Sequence, residues 1–279
     1  MIRKDRMIRN LKCVLIHTFL IFFAIICIFP LYWLLTTSFK PSGEVFSTDL
    51  LGQFQISTEN YQTILTKDKY PNYLLNSAIT SVLTVFITLP IGSMAGYAFA
   101  RLKMKRKDTW FFMILTTRMA PAVTFAVPIY LMLIRLGLID NTIGIVLVYT
   151  FSNLALTIWL SRSFFEDVPK DIEEAAMIDG ISRFGAFIKI AVPIAAGGLV
   201  ATAILVFIFT WNEFFFASIL TQRKAKTFTV HLTSFFGSKR ILWGELSAAS
   251  VLGSSIPILF AIIMKKHIIR GLTMGAVKE

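Results

Sequence analysis

Residues 166–193 read EDVPKDIEEAAMIDGISRFGAFIKIAVP. Six acids lie in this stretch, whereas long apolar runs flank it on both sides. Pro169 near the start and Gly180 at the end of VPKDIEEAAMIDG punctuate a helix of about three turns. Asp171, Glu173 and Glu174 fall near its N-terminus, where the helix macrodipole favours anions. So short a helix is marginal alone in water and needs a surface to dock on. Ile172, Ala175, Ala176 and Asp179 share one face, and the two alanines permit close approach. A second amphipathic piece, ISRFGAFIKI, leads to Pro193 and into the next apolar run.

Outward from this segment the composition is that of a membrane protein. Of 279 residues, 56% are hydrophobic and 16% charged, with a mean hydropathy of +0.70, far from soluble globular usage. A bilayer span needs about 20 apolar residues as a helix, and only helices or closed barrels satisfy the backbone there. The alternating pattern of a barrel is absent. The sequence therefore predicts an all-α polytopic membrane protein, a single transmembrane domain over 1–279. Six spans are expected at about 13–35, 72–99, 109–134, 141–161, 190–216 and 246–264. The first retains its helix: the run from Cys13 to Leu35 is too long for a signal-peptide core and lacks a small-residue cleavage site.

The formal charge of +12 does not indicate nucleic acid, because the bases cluster beside the apolar runs rather than on a separate module. Counting Lys and Arg in alternate loops with the N-terminus inside gives 18 on the inner side and 9 on the outer. Both termini are therefore expected in the cytoplasm, with 162–189 as a cytoplasmic loop. The basic run RLKMKRK at 101–107 falls on the same side. In the second span, Gly92, Gly96 and Ala100 at four-residue spacing put small residues on one face, where a neighbouring helix approaches closely.

The loop carries a pattern. Glu174-Ala175-Ala176, three residues, Gly180, nine residues, Ile190, one residue, Val192 and Pro193 resembles the cytoplasmic loop of ABC importer permeases; Val192 stands where Leu is usual. LIRLGLIDNTIGIVLVY at 133–149, WNEFF at 211–215 and RGLTMGAVK at 270–278 resemble the sugar-importing branch that includes the MalG-type permeases. The resemblance implies a type I importer permease fold in a bacterial or archaeal cytoplasmic membrane. It also implies that the loop helix is a coupling helix seated in a cleft of a separate ATPase. Glu173, Glu174, Ala175, Ala176, Asp179 and Gly180 would form the contact, with Glu174 making a charge-assisted bond. The implied partners are a homologous second permease subunit, two ATPase subunits and an extracytoplasmic solute-binding protein.

The chain is not expected to hydrolyse ATP itself, since it has no Gly-Lys dipeptide for a phosphate-cradling loop. ATP and Mg would belong to the partner ATPase, and no cofactor is expected in this chain. No metal site is expected either, since His17, His231 and His267 lack ligand spacing. Within the apolar runs, Arg118, Asn153, Asn212 and Glu213 admit two readings. They line a translocation pathway and offer hydrogen bonds to sugar hydroxyls, or they pair structurally, with each other or with the partner permease, because each charge is expensive in hydrocarbon. A permease for a non-sugar solute and an ion-coupled carrier remain the alternatives; for the carrier, Glu213 is the single buried carboxylate candidate.

Overall fold

A computed structural model of the chain describes residues 2–41, 43–46, 55–66, 68–237 and 240–273, with side chains within 12–265. Its elements run α1 (Ile2–Ser38), α2 (Glu59–Thr66), α3 (Tyr70–Arg101), α4 (Lys107–Thr116), α5 (Ala122–Arg135), α6 (Thr142–Glu166) and α7 (Lys170–Ile178). After α7 come α8 (Arg183–Ala186), a π-helical turn (Phe187–Ala191), α9 (Val192–Ile194), α10 (Ala196–Trp211), α11 (Phe215–Leu220), α12 (Phe228–Leu232) and α13 (Trp243–Thr273). The described residues form no named strand, and they group into two compact units.

The first unit comprises residues 1–70 and 234–254. It holds α1, α2 and the first part of α13, and its interior is polar as much as apolar. Asn60 Nδ2 donates to the carbonyls of Ser38 and Lys40, at 3.0 and 2.9 Å, and so closes the end of α1. Gly244 allows this amide to sit against α13, since a Cβ there would lie 2.5 Å from Asn60 Oδ1. Tyr70 reaches the Ala249 carbonyl through its hydroxyl. The apolar stretch of α1 presents its side chains to the surroundings, with Cys13 and Cys27 free and exposed.

The second unit comprises residues 71–233 and 255–279. Here α3 and α6 pack closely because glycines permit it. A Cβ on Gly92 would meet Thr157 at 2.4 Å, and one on Gly96 would meet the Arg162 amide at 2.8 Å. The small-residue face thus serves packing within the chain. One apolar cluster joins Tyr97, Ala100, Phe165, Phe187, Ala191 and Leu199, and another joins α5, α6 and α11 through Leu133, Tyr149 and Phe216.

Among the described residues four helices, α1, α3, α6 and α13, are long and apolar enough to cross a bilayer. A fifth crossing arises if the pair from Arg183 to Ile194 and from Ala196 to Trp211, bent by 80°, is one span. The two remaining expectations change in detail. Where a third span was expected there are two shorter helices, α4 and α5, separated by a turn at 117–121. Pro121 has no N–H to continue the ladder and disfavours helical backbone before it, while the hydroxyls of Thr116 and Thr117 bond back to Met113 and Ile114. The fifth expected span bends at Ala195, which leaves helical geometry at ψ 2°, and the turn ahead of Pro193 widens to π geometry. It ends at Trp211 rather than 216.

Candidate functional site

The loop after α6 folds as its punctuation predicts. Helix α7 starts after Pro169 and ends at Asp179, and Gly180 takes φ +91°, a conformation side chains rarely adopt. The Ile181 amide then closes back on the Ala176 carbonyl at 3.1 Å. Ser182 caps the following turn by accepting from the Gly185 amide. Nine residues cannot sustain a helix in water, so what fastens α7 matters.

Glu173 is the one buried residue of α7. Its carboxylate accepts from the Tyr97 hydroxyl at 2.6 Å and from Arg101 Nε at 2.9 Å, and Arg101 Nη2 lies 2.8 Å from the same oxygen. Arg101 Nη2 also donates to the Val168 carbonyl at 2.6 Å, just ahead of the helix. Around this pair, Tyr97 packs edge-on to Phe165 and tilted on Phe187, at ring separations of 5.4 and 4.9 Å. Glu173, expected on the contact face, thus points into the chain. Glu174, Ala175, Asp179 and Gly180 are exposed, and Ala176 is half-buried. Ile172 is exposed as well, and Ile178 is 87% exposed. The outward face is therefore apolar and acidic, with no cover from the described residues.

The in-membrane polar residues divide. Arg118, Asn153 and Glu213 line one cavity of about 370 Å³ with Phe125, Ser152 and Phe209. Arg118 sits in the turn between α4 and α5 with its guanidinium 5.3 Å from the centre of the Phe209 ring. Glu213 lies between α10 and α11 and accepts from the amides of Phe216 and Ala217 at 2.9 and 3.2 Å. Among the described residues no ion pair joins Arg118 to Glu213. Asn153 donates to the Tyr149 carbonyl. Asn212 is exposed, donates to the Ile208 carbonyl and is not part of the lining.

Two features escaped the sequence reading. Arg101 lay in a basic run with nothing to single it out. Asp140, in a left-handed conformation at φ 54°, gathers the consecutive amides of residues 222–225 onto its carboxylate at 2.9 to 3.2 Å. Partial burial raises the Asp140 pKa, but the four amides together outweigh it and hold the carboxyl below its ordinary value. Asn76 secures the same loop from α3 by donating to the carbonyls of Lys224 and Lys226.

Helices long and apolar enough to cross a bilayer, one bent pair, a short acidic helix ended by a glycine and a cavity with polar groups among apolar ones fit a solute permease. Comparison with known proteins agrees: the family model described as binding-protein-dependent transport system inner membrane component matches residues 88–274. The chain belongs to this family of multi-pass inner-membrane transport components. It is 34% identical over 272 residues to the trehalose/maltose transport system permease protein MalG of Thermococcus litoralis, covering 96% of this chain and 98% of that one. It is 35% identical over 252 residues to the trehalose transport system permease protein SugB of Mycobacterium tuberculosis, covering 89% and 92%. Among solved structures, a bacterial ABC transporter that imports the acidic polysaccharide alginate superposes with a TM-score of 0.77 at 23% identity, covering 95% of this chain and 97% of that one. A bacterial alginate transporter in complex with a pentasaccharide-bound periplasmic protein superposes with a TM-score of 0.71 at 14% identity.

Proposed function

We propose that this chain is the permease subunit of an ATP-driven carbohydrate importer, forming half of a translocation pathway with a homologous subunit. The observation that carries the reading is α7: a helix with one inward anchor, an uncovered outward face and a glycine-made stop, in the position the importer motif requires. One of the two ATPase subunits docks on it, with both termini and the 162–189 loop on the cytoplasmic side. Glu174 pairs with a basic group of the ATPase, Ala175 and Ala176 allow close approach, and Asp179 and Gly180 shape the exit. ATP and Mg are bound in those partners.

A sugar as solute is supported by the relatives named for trehalose and maltose and by a further one, 33% identical, named for diacetylchitobiose uptake in Streptomyces coelicolor. The cavity lined by Arg118, Asn153 and Glu213 offers donors and acceptors suited to hydroxyls. An extracytoplasmic binding protein delivers the solute to the outer loops, where Asp140 stiffens residues 222–225.

Charge reversal tests the docking. In the assembled transporter, Glu174→Arg is expected to abolish uptake, and the reverse substitution of its basic partner on the ATPase to restore it. Full uptake by the Glu174→Arg transporter defeats the assignment. Uptake driven by an ion gradient without ATP defeats the whole reading.

A further inference from the structure

We infer that the buried trio of Glu173, Arg101 and Tyr97 locks the coupling helix to α3, so that α3 moves with α7 as one body when the ATPases close. This rests on α7 being the coupling helix. The chain itself tethers α7 to α6 on one side and to the α8 turn on the other, and a reading of connectivity alone would send motion into those two helices. The buried side-chain bonds run instead to α3.

The argument is one of elimination by burial. A helix transmits displacement through the side chains it has locked into its own subunit, and α7 has one such residue, Glu173. The helix lacks a side-chain N-cap, and both of its isoleucines are exposed. Everything that holds Glu173 comes from the last turns of α3. Tyr97 and Arg101 are spaced i, i+4 and therefore share a face, and both reach the carboxylate at 2.6 to 2.9 Å. The Arg101 and Glu173 side chains are 7% and 4% exposed. A buried pair of this kind resists separation, because parting the ions leaves each desolvated without its counter-charge. Arg101 simultaneously binds the Val168 carbonyl, so the turn ahead of α7 and the helix share one guanidinium. The α3 end is rigid too: Tyr97 is wedged between Phe165 and Phe187, and α3 is pressed to α6 through Gly92 and Gly96.

Glu173 and Arg101 are on this view positioning residues for transport, distinct from Glu174 beside them, which faces outward. Adjacent helical residues lie about 100° apart: one acid engages the ATPase while its neighbour holds the membrane helix.

The test uses the complete transporter reconstituted with its partner permease, ATPase and binding protein. Spin labels go on Lys170→Cys of α7 and Met94→Cys of α3, both exposed, in a Cys13→Ser, Cys27→Ser background. The distance between them is expected to be narrow and equal in the nucleotide-free and ATP-trapped states. In Glu173→Gln it is expected to broaden or shift on ATP trapping, and the solute moved per ATP hydrolysed to fall about tenfold while hydrolysis continues. A merely structural role lowers uptake and hydrolysis together and leaves that ratio unchanged. If Glu173→Gln does not assemble, Tyr97→Phe removes one hydrogen bond and keeps the ring packing, with a fall in the ratio of about two- to fivefold expected. A label distance that changes on ATP trapping in the unsubstituted trio, or an unchanged ratio in the variant that assembles, overturns the inference. Absence of ATP-driven uptake by the labelled parent overturns the proposed function instead.

Discussion

Replacing Asp140 by asparagine is expected to release the loop at 221–226. Its carboxylate takes six N–H contacts from the four amides of residues 222–225, at 2.9 to 3.2 Å. Asparagine keeps one acceptor oxygen, puts an NH2 where the contacts from Arg223 and Lys224 converge on the second, and removes the charge. Hydrogen bonds to a charged group contribute about 1.5–3 kcal/mol each. Most of these amides are exposed, however, and recover water on opening, so we set the net loss at about 1.4 kcal/mol, a tenfold rise in the open population. Limited proteolysis reads that population directly when opening is fast relative to cleavage. The loop carries its own trypsin sites at Arg223, Lys224 and Lys226, so cleavage there in proteoliposomes is expected to quicken about tenfold in the variant. Asn76→Ala, which frees two carbonyls of the same loop, is expected to act in the same direction and more weakly. Equal cleavage rates for Asp140→Asn and the parent would refute the claim that this carboxylate organises the loop.

Three further outcomes follow from the geometry. Gly96→Leu forces a side chain into the Arg162 backbone and is expected to destabilise the α3 and α6 pair by about 2–3 kcal/mol; an unchanged unfolding midpoint in detergent would count against that packing. His231 is buried against the Tyr73 ring at 4.3 Å, and burial, aided by Lys226, lowers its pKa from 6.5 to about 4. A depressed folded value means its contribution is present above the unfolded pKa and is lost as pH falls from about 6.5 toward 4. Thermal scans across that window are expected to show the loss, and His231→Phe to flatten it. Arg118→Ala is expected to alter the affinity or rate of uptake in transporter that still assembles; if both are unchanged, Arg118 does not serve the pathway.

The short helix was legible because its signals are local: Pro169 opens it, Gly180 ends it, and the observed limits, Lys170–Ile178, agree. Which of two adjacent acids faces inward was not, since that depends on an arginine 72 residues earlier in the chain. Similarly, Asp140 finds its amides 82 to 85 residues away, and no window of sequence contains both. Helices α3 and α13 extend past the apolar runs 72–99 and 246–264 at both ends, and α6 extends past 141–161 at its C-terminal end, because hydropathy fades before the helical hydrogen bonding does. The breaks at 117–121 and 212–214 were missed for a different reason. Apolarity runs through both of them, and a hydropathy reading registers composition rather than the continuity of the backbone ladder.

Those two breaks bear on the polar residues that composition found so awkward. A charge in the middle of an unbroken helix must be carried across hydrocarbon at full cost, whereas backbone that leaves the helix at membrane depth is tolerated only when protein buries it or water reaches it. Arg118 lies in one break and Glu213 in the other, and both line the same cavity. Each has its own local partner, the Phe209 ring for the guanidinium and the Phe216 and Ala217 amides for the carboxylate. Among the described residues neither pairs with the other. Two helix interruptions that bring opposite charges to the lining of one cavity, without an ion pair between them among the described residues, support the proposed pathway more firmly than any of its residues does alone. The same geometry accounts for the place of Asn212: one residue before Glu213, it turns back onto the Ile208 carbonyl and continues the end of α10 rather than facing the cavity.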